Sequence, residues 1–320
     1  MKDIKVASVQ FEHKNGDKAY NLKRIQDFAR QASQKEVDLI VFPECCITGC
    51  WFIRNLSKSD IAELAEDLLN GPSVKEISRI SSTNNIIVCA GLIENFNGEF
   101  YNTYIVAMPD GTLKFHRKIH CFINKHMSSG NDYTIIETPF GWKIGVLICY
   151  DNNIIENTRI TTLMGANVII APHQTGGCRT KDPNIMGIVD SKLWNNRHEK
   201  PKEIEMELKG EKGRGWLLRW LPSRAHDNGV FYIFSNGIGK DDDEIRTGNA
   251  MVIDPYGRII SETWKAADEM IIAKFDSKLL LDNTGQRWIT ARRPSLYTTI
   301  SEPTRKEVDI FTARFSGKGA

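Results

Sequence analysis

A chain of 320 residues with 41% hydrophobic and 26% charged residues has the composition of a soluble globular protein, and it can bury one large core or two modest ones. Its 42 Lys and Arg against 40 Asp and Glu give a net charge of +2, which does not favour a nucleic-acid partner. No stretch approaches the ~18 apolar residues of a membrane span, so no membrane partner is expected.

The seven cysteines are irregularly spaced and odd in number, which argues against a disulfide framework. The segment from Met1 to Val6 enters a strand directly and has no apolar run typical of a signal peptide. Reduced thiols in a cytoplasmic protein are therefore expected. Cys45, Cys46 and Cys50 lack the paired C-x-x-C spacing of zinc sites, so no metal is predicted.

Short apolar strands alternate with amphipathic helices in the first half of the chain. The Lys18–Glu36 segment has helical periodicity, with Ile25, Phe28, Ala29 and Ala32 on one face. A hairpin turns at Pro109-Asp-Gly111 between strands at 101–108 and 112–118. The remaining predictions are strands at 4–9, 37–42, 86–93 and 144–149 and helices at 60–69, 73–84 and 152–165.

The second half continues with a strand at 168–171, an irregular region at 174–222 and a helix at 223–229. A strand at 230–234 follows, then a hairpin that turns at Pro255-Tyr-Gly257 between strands at 248–253 and 258–262, and a strand at 270–275. Strands mixed with helices and two hairpins predict an α/β (α+β) fold with a mixed sheet.

Three predicted strands end in polar groups of complementary chemistry. Leu39–Glu44 ends in a carboxylate, Phe115–Lys118 in an ammonium and Ile144–Cys149 in a thiol. Strand ends on one edge of a layered domain are where clefts form, so the three groups converge if these strands are neighbours. Taken singly, Glu44 could be a solvated loop residue, Lys118 a surface charge and Cys149 a core residue.

Cys149 also precedes a predicted helix. The positive end of a helix dipole favours a thiolate, so Cys149 is predicted to be an activated nucleophile.

Several motifs in order along the chain resemble those of the nitrilase superfamily of carbon–nitrogen hydrolases. The matching segments are Ala7–Gln10 with Gly16, Asp17 and Asn21; Phe42-Pro43-Glu44 with Thr48 and Gly49; Arg117–His120; Cys149–Asp151 with Glu156 and Arg159; Arg224-Ala225, Asp227-Asn228 and Ser235-Asn236; and Arg292-Arg293-Pro294.

The resemblance implies a four-layer αββα sandwich that pairs through helices into a homodimer or higher homo-oligomer. It implies that Cys149 forms a thioester, that Glu44 transfers protons, and that Lys118 and the Tyr150 backbone N–H stabilise the oxyanion. No cofactor and no metal are required. We expect one domain over residues 1–300 with a long insertion at about 176–221, followed by a C-terminal tail at 301–320.

Two segments depart from the family's pattern. The stretch Phe122–Gly130 contains no carboxylate where many members carry a second glutamate, which makes Asn124 and His126 the candidates for its positioning role. The insertion at 176–221 is predicted to cover the pocket mouth. Arg179 is the candidate for holding a substrate carboxylate, and His173 is a further candidate in substrate binding, with a structural role as its alternative.

The predicted activity is hydrolysis of a small amide or ureido (N-carbamoyl) substrate with release of ammonia, since Tyr150-Asp151 after the cysteine is similar to amidases and carbamoylases. A nitrilase or an amide-forming acyltransferase on the same triad is an alternative. A non-catalytic binding protein on this fold is another, because a fold does not dictate function.

Overall fold

A computed structural model describes residues 1–179 and 181–315; Thr180 and the last part of the predicted tail, 316–320, lie outside the described residues. The strands are β1 (Ile4–Gln10), β2 (Leu39–Val41), β3 (Ile87–Phe96), β4 (Glu99–Ala107), β5 (Leu113–Arg117), β6 (Met127–Ser128), β7 (Ile135–Glu137), β8 (Lys143–Val146), β9 (Val168–His173), β10 (Phe231–Asn236), β11 (Ile238–Asp241), β12 (Glu244–Thr247), β13 (Met251–Ile253), β14 (Ile259–Glu262) and β15 (Glu269–Phe275).

The helices flank these strands. They are α1 (Lys18–Gln34), α2 (Lys58–Leu64), α3 (Pro72–Asn84), α4 (Ile155–Leu163), α5 (Ser191–Asn195), α6 (Pro201–Lys209), α7 (Arg214–Leu218), α8 (Leu221–Asn228), α9 (Thr284–Thr290), α10 (Thr298–Ser301) and α11 (Ile310–Phe315). Short 3₁₀ turns cover Trp51–Asn55, Cys149–Asn153, Ser277–Leu280 and Pro294–Leu296. None of the helices within the described residues combines the length and apolar character needed to cross a bilayer.

Two mixed sheets pack face to face. The first has the order β15-β1-β2-β3-β4-β5 with β6 beside β4, and the second has the order β14-β13-β10-β9-β8-β7. Val6, Val41, Tyr104, Val146 and Ile233 belong to one buried cluster, which includes side chains from both sheets. Alternate residues along each strand point to opposite faces, so the same strands also bury an outer face.

Helices cover those outer faces. Ile25 and Phe28 of α1 and Ile77 of α3 pack with outward residues of the first sheet such as Ile40. Ala225 of α8 packs in the same way against residues of the second sheet. The result is the four-layer αββα sandwich with mixed sheets, as predicted.

The region after β9 differs from the sequence prediction. It is not irregular, because α5, α6 and α7 lie within it. Trp194, Ile204 and Leu208 from these helices form a buried cluster with Ile238 and Ile245. Those last two residues belong to the β11–β12 hairpin, which the sequence analysis did not predict.

Two boundaries near the proposed nucleophile also differ. The strand β8 ends at Val146 rather than at Cys149, and Cys149 opens a 3₁₀ turn instead. The helix α4 begins only at Ile155. The backbone of Cys149 has φ +50°, a left-handed conformation that is uncommon for a residue with a side chain and that occurs at functional turns.

Candidate active site

The three polar residues after β2, β5 and β8 meet between the sheets. The strands are not neighbours in one sheet, which was the condition set for their convergence: β3 and β4 separate β2 from β5, and β8 belongs to the second sheet. The strand β5 runs parallel to β2, because β2 and β3 are parallel and two antiparallel pairings follow. Both strands therefore end at the same edge, and Cys149 approaches from the facing sheet.

Glu44 and Lys118 form a buried ion pair. The Lys118 Nζ lies 2.6 Å from Glu44 Oε1, and their side chains are only 4% and 2% exposed. The Asn102 side chain donates a second hydrogen bond to Oε1, at 2.7 Å. Burial by itself lowers the pKa of Lys118, but neighbouring acidic groups, Glu44 first among them, together outweigh burial and hold this pKa well above its usual range. Lys118 is therefore a fixed cation.

Close backbone packing places Glu44. The residue follows Pro43 in a turn that crosses β3 at Gly91, where an added Cβ would come within 2.4 Å of the Cys45 backbone nitrogen. Any side chain at this glycine would push the turn away from the sheet. The Gln174 side chain donates to the Glu44 carbonyl at 2.9 Å, so a residue after β9 also holds the turn.

The Cys149 thiol contacts the Glu44 carboxylate and the backbone N–H of Gln174. Burial raises the pKa of Cys149 to about 12, Glu44 adds to this rise, and Lys118 and the Gln174 N–H oppose it. This direction is opposite to the one that a helix dipole would give. A 3₁₀ turn separates Cys149 from the N-terminus of α4, and its charged neighbours include the Glu44 carboxylate as well as the Lys118 ammonium. The thiol therefore needs a base in order to react.

A polar network fixes the turn that carries Cys149. The Asn152 side chain donates to the carbonyls of Leu147 and Cys149 at 2.7 and 3.2 Å, and it accepts from the Tyr232 hydroxyl at 2.6 Å. Asp151, which is fully buried, accepts from the Ile148 and His120 backbone N–H groups. These contacts hold a strained backbone in one conformation.

His173 belongs to this network. Its Nε2 lies 3.1 Å from Asn152 Nδ2, and its Nδ1 lies 3.1 Å from the Thr175 hydroxyl. Burial, with Lys118 nearby, lowers the pKa of His173 well below its usual range, so the ring is neutral. A neutral imidazole accepts from Asn152 at Nε2 and donates to Thr175 from Nδ1. The contacts of His173 within the described chain support the structural alternative.

Asn124, a candidate for the role of the second glutamate, is held by backbone groups. Its side-chain nitrogen donates to the carbonyls of Ile53 and Leu56, and its oxygen accepts from the His126 backbone N–H. These contacts join two loops, and none of them ends on the triad within the described chain. The neighbour of Lys118 from this stretch is Phe122 instead, whose ring centre lies 5.0 Å from Nζ.

Tyr150 and Arg179 are the two remaining residues that were predicted from the sequence. The Tyr150 ring packs against Phe122 at 5.6 Å between centroids. Arg179 is exposed and forms an ion pair with Asp243 at 2.9 Å. It lines a small cleft together with Trp51, Arg54, Cys178, Glu244, Arg314 and Phe315. The structure thus brings Glu44, Lys118 and Cys149 together and places Arg179 outside them.

Sequence reasoning missed Asn102 and Gln174, both of which hold Glu44. Asn102 is a polar residue inside the apolar strand β4, and such a break in hydrophobic patterning is a signal that was available. Gln174 follows β9 directly, at the same kind of strand end that singled out the triad.

Comparisons with known proteins agree with this geometry. The sequence profile described as carbon–nitrogen hydrolase matches residues 5–281. An (R)-stereoselective amidase of Pseudomonas sp is 28% identical over 81% of this chain and 80% of its own length. An omega-amidase of Danio rerio is 28% identical over 94% of this chain and 99% of its own length.

Solved structures show the same fold. A variant of the amidase from Nesterenkonia sp. AN1, with the acetamide moiety of fluoroacetamide added covalently at its active-site cysteine, superposes with a TM-score of 0.69. It is 17% identical, and the match covers 92% of this chain and 96% of that one. The present chain belongs to the carbon–nitrogen hydrolase family of the nitrilase superfamily and is a hydrolase of amide-type carbon–nitrogen bonds.

Proposed function

We propose that the protein cleaves a small amide or N-carbamoyl substrate through a thioester on Cys149, with release of ammonia. The observation that carries this proposal is the buried Glu44–Lys118 pair at 2.6 Å, with the Cys149 thiol in contact with the Glu44 carboxylate. This arrangement offers a nucleophile, a proton acceptor and a fixed cation in one place, which are the groups that acyl transfer from nitrogen needs.

The first half-reaction begins with proton transfer. Glu44 takes the Cys149 proton as sulfur attacks the substrate carbon, and the carbonyl π electrons move to oxygen. The Lys118 ammonium and the Tyr150 backbone N–H stabilise that oxyanion. As the tetrahedral intermediate collapses, the carbon–nitrogen bond breaks, Glu44 gives its proton to the leaving nitrogen, and ammonia departs from the thioester.

The second half-reaction uses the same groups. Glu44 takes a proton from water as the water oxygen attacks the thioester, and Lys118 again stabilises the oxyanion. Collapse breaks the carbon–sulfur bond, the proton returns to the sulfur, and the acid product leaves. A thiol with a pKa of about 12 fits this scheme, because deprotonation by Glu44 is then coupled to attack.

Some relatives are named nitrilases, but more of them are named amidases, which favours an amide over a nitrile. The Pseudomonas and Danio proteins are called amidases. An N-carbamoylputrescine amidase of Arabidopsis thaliana, 23% identical over 93% of this chain and 95% of its own length, supports the N-carbamoyl class. The alternatives for the same cleft are a nitrilase, which would attack a nitrile, an acyltransferase, which would pass the acyl group to an amine, and a non-catalytic binding protein.

An ammonia-release screen over amides, N-carbamoyl amino acids and nitriles tests the proposal. We expect release from at least one amide or N-carbamoyl compound and none from the Cys149→Ala variant. Cys178→Ala is the matched control, because Cys178 is another partly exposed free thiol and lies outside the triad. Mass spectrometry of rapidly quenched enzyme should show an acyl adduct on Cys149. Release that persists in Cys149→Ala contradicts the thioester.

We propose that the 176–221 segment of a single 1–300 domain shapes the substrate mouth. Its helices pack on the β11–β12 hairpin, and Asp243 in that hairpin pairs with Arg179. Because this ion pair is largely exposed, breaking it costs little stability. Arg179→Ala should therefore fold normally. Because it removes the proposed contact with the substrate, it should raise KM for substrates that carry a distal carboxylate and leave kcat nearly unchanged. An unchanged KM for such substrates removes this role.

We also propose a homo-oligomer in a reducing, cytoplasmic compartment. The face formed by α4 and α9 exposes Ile155, Leu163 and Trp288, at 59%, 44% and 50%. A second copy would cover these apolar side chains. The seven free thiols support the compartment.

A further inference from the structure

Two thiols that the proposed reaction does not use, those of Cys45 and Cys50, lie beside Glu44. Ligand atoms of Glu44, Cys45 and Cys50 all lie within 4.8 Å of one another, and the three residues are at most 3% exposed. A hydrogen bond with Cys45, burial and the Glu44 carboxylate raise the pKa of Cys50 well above its usual range. The Cys50 thiol is therefore neutral in the resting protein.

The cysteine spacing lacks the C-x-x-C pair of zinc sites and by itself predicts no metal here. The folded backbone nevertheless brings three potential ligands together. Cys45 has φ +45°, and the turn brings Cys50 back beside Glu44, so the ligands come together through a turn rather than through a paired motif. Two sulfurs and one carboxylate oxygen are a ligand set that zinc and other thiophilic divalent ions accept.

We propose that Glu44, Cys45 and Cys50 form an inhibitory site for a thiophilic divalent cation such as Zn²⁺. Binding replaces the protons of both thiols, so two protons leave for each ion bound, and no electron transfer is involved. Because Glu44 then ligates the ion, it can no longer accept the Cys149 proton. The inhibitory part of this inference rests on the proposed function of Glu44; the binding part does not.

Distances and charges are compatible with such a site. Zinc bonds of about 2.3 Å to sulfur and 2.0 Å to oxygen put tetrahedral ligands roughly 3.3–3.8 Å apart, so side-chain rotations must bring the three atoms closer by up to about 1 Å. The hydrogen bonds from Asn102 and Lys118 both end on Glu44 Oε1, so neither of them occupies Oε2. Two thiolates and a carboxylate carry three negative charges, and the divalent ion and the Lys118 ammonium balance them.

The alternative role of the two thiols is packing. Cys45 and Cys50 belong to a buried apolar cluster with Ile53, Ile93 and Phe100, where alanine would serve nearly as well. Capture of the ion by Cys149 alone is the other alternative, because that thiol is partly exposed. The experiment must distinguish the proposed site from both.

Cadmium chloride is the probe, because cadmium–thiolate bonds absorb in the ultraviolet and can be measured without activity. We expect the Cys149→Ala variant to bind one Cd²⁺ per chain with a charge-transfer band, to release two protons and to give up the ion to Zn²⁺. Cys149→Ala/Cys178→Ala should retain the band, and Cys149→Ala/Cys50→Ala should lose it. Cys149→Ala/Cys50→Ser, checked by circular dichroism, is used if the alanine variant does not fold.

Loss of the band in Cys149→Ala alone, or its persistence without Cys50, overturns the site. In enzyme that retains Cys149, Cys50→Ala should raise the Zn²⁺ concentration for half-inhibition by at least about tenfold, since losing a ligand costs no less than losing a group that supports one. If no substrate is ever found, the cadmium band still decides whether the ion binds. If activity is found but the band is absent, only this inference fails.

Discussion

The Lys118 ammonium lies 2.6 Å from Glu44 Oε1, and both side chains are almost entirely buried. An isolated buried charge is costly, and each partner removes that cost for the other. The pair therefore contributes both to the proposed chemistry and to the stability of the fold, and the two contributions can be separated by mutation.

Lys118→Met should destabilise the protein by roughly 3–5 kcal/mol, because it leaves the Glu44 carboxylate buried without its counter-ion. Glu44→Gln/Lys118→Met removes both charges and should recover most of that loss, although both variants are inactive. Urea unfolding of the two single variants and the double variant measures the coupling. A double variant that is as unstable as Lys118→Met would mean that Glu44 is not charged in the folded protein.

Glu44→Gln should separate thiol reactivity from turnover. We expect kcat to fall by about 10²–10⁴, the usual contribution of a positioned acid–base group. Because the Glu44 carboxylate raises the pKa of Cys149, its removal should lower that pKa and speed alkylation of the thiol by iodoacetamide at a fixed alkaline pH. In the parent enzyme, by contrast, direct alkylation at neutral pH should be slow and should accelerate as the pH approaches 12.

Lys118→Met should change the alkylation rate of Cys149 in the opposite direction. The ammonium lowers the pKa of Cys149, so removing it should slow alkylation at the same pH. The Cys149→Ala background identifies the labelled residue in each case. Alkylation that slows in Glu44→Gln would contradict the electrostatic assignment of the carboxylate.

Asn102 should act as a positioning residue for Glu44. Asn102→Ala removes the 2.7 Å hydrogen bond to Oε1, so the carboxylate is less well oriented toward the thiol. A hydrogen bond to a charged group contributes about 1.5–3 kcal/mol, which corresponds to a loss of roughly 10- to 150-fold in kcat with KM little changed. Steady-state kinetics across a range of pH measures kcat and KM separately.

Thr103→Val is the matched control for Asn102→Ala. Thr103 is the adjacent buried residue of β4, and its hydroxyl donates to Glu94 rather than to the triad. The Thr103→Val variant should lose about as much stability as Asn102→Ala but retain the kcat of the parent enzyme. An equal loss of kcat in both variants would mean that Asn102 acts only through the stability of the strand.

The triad could be predicted from sequence because its members follow three strands, and strand ends are where clefts form. The state of the thiol could not, since the pKa of Cys149 depends on which groups pack around it after folding. The same limit applied to Cys45 and Cys50, whose approach to Glu44 depends on a turn. The helix α6 was missed because charged residues surround Ile204 and Leu208, although their spacing of four and Pro201 at the helix start were both visible.

The exposed apolar face of α4 yields a prediction about assembly. Leu163→Glu places a charge among side chains that a second copy would bury, so it should shift the protein from a dimer or larger oligomer toward a monomer. Light scattering after size-exclusion chromatography, over a range of concentrations, measures this shift. Leu69→Glu is the control, because Leu69 is 83% exposed on a loop far along the chain from α4. If Leu163→Glu leaves the mass unchanged while the parent is oligomeric, another surface joins the subunits.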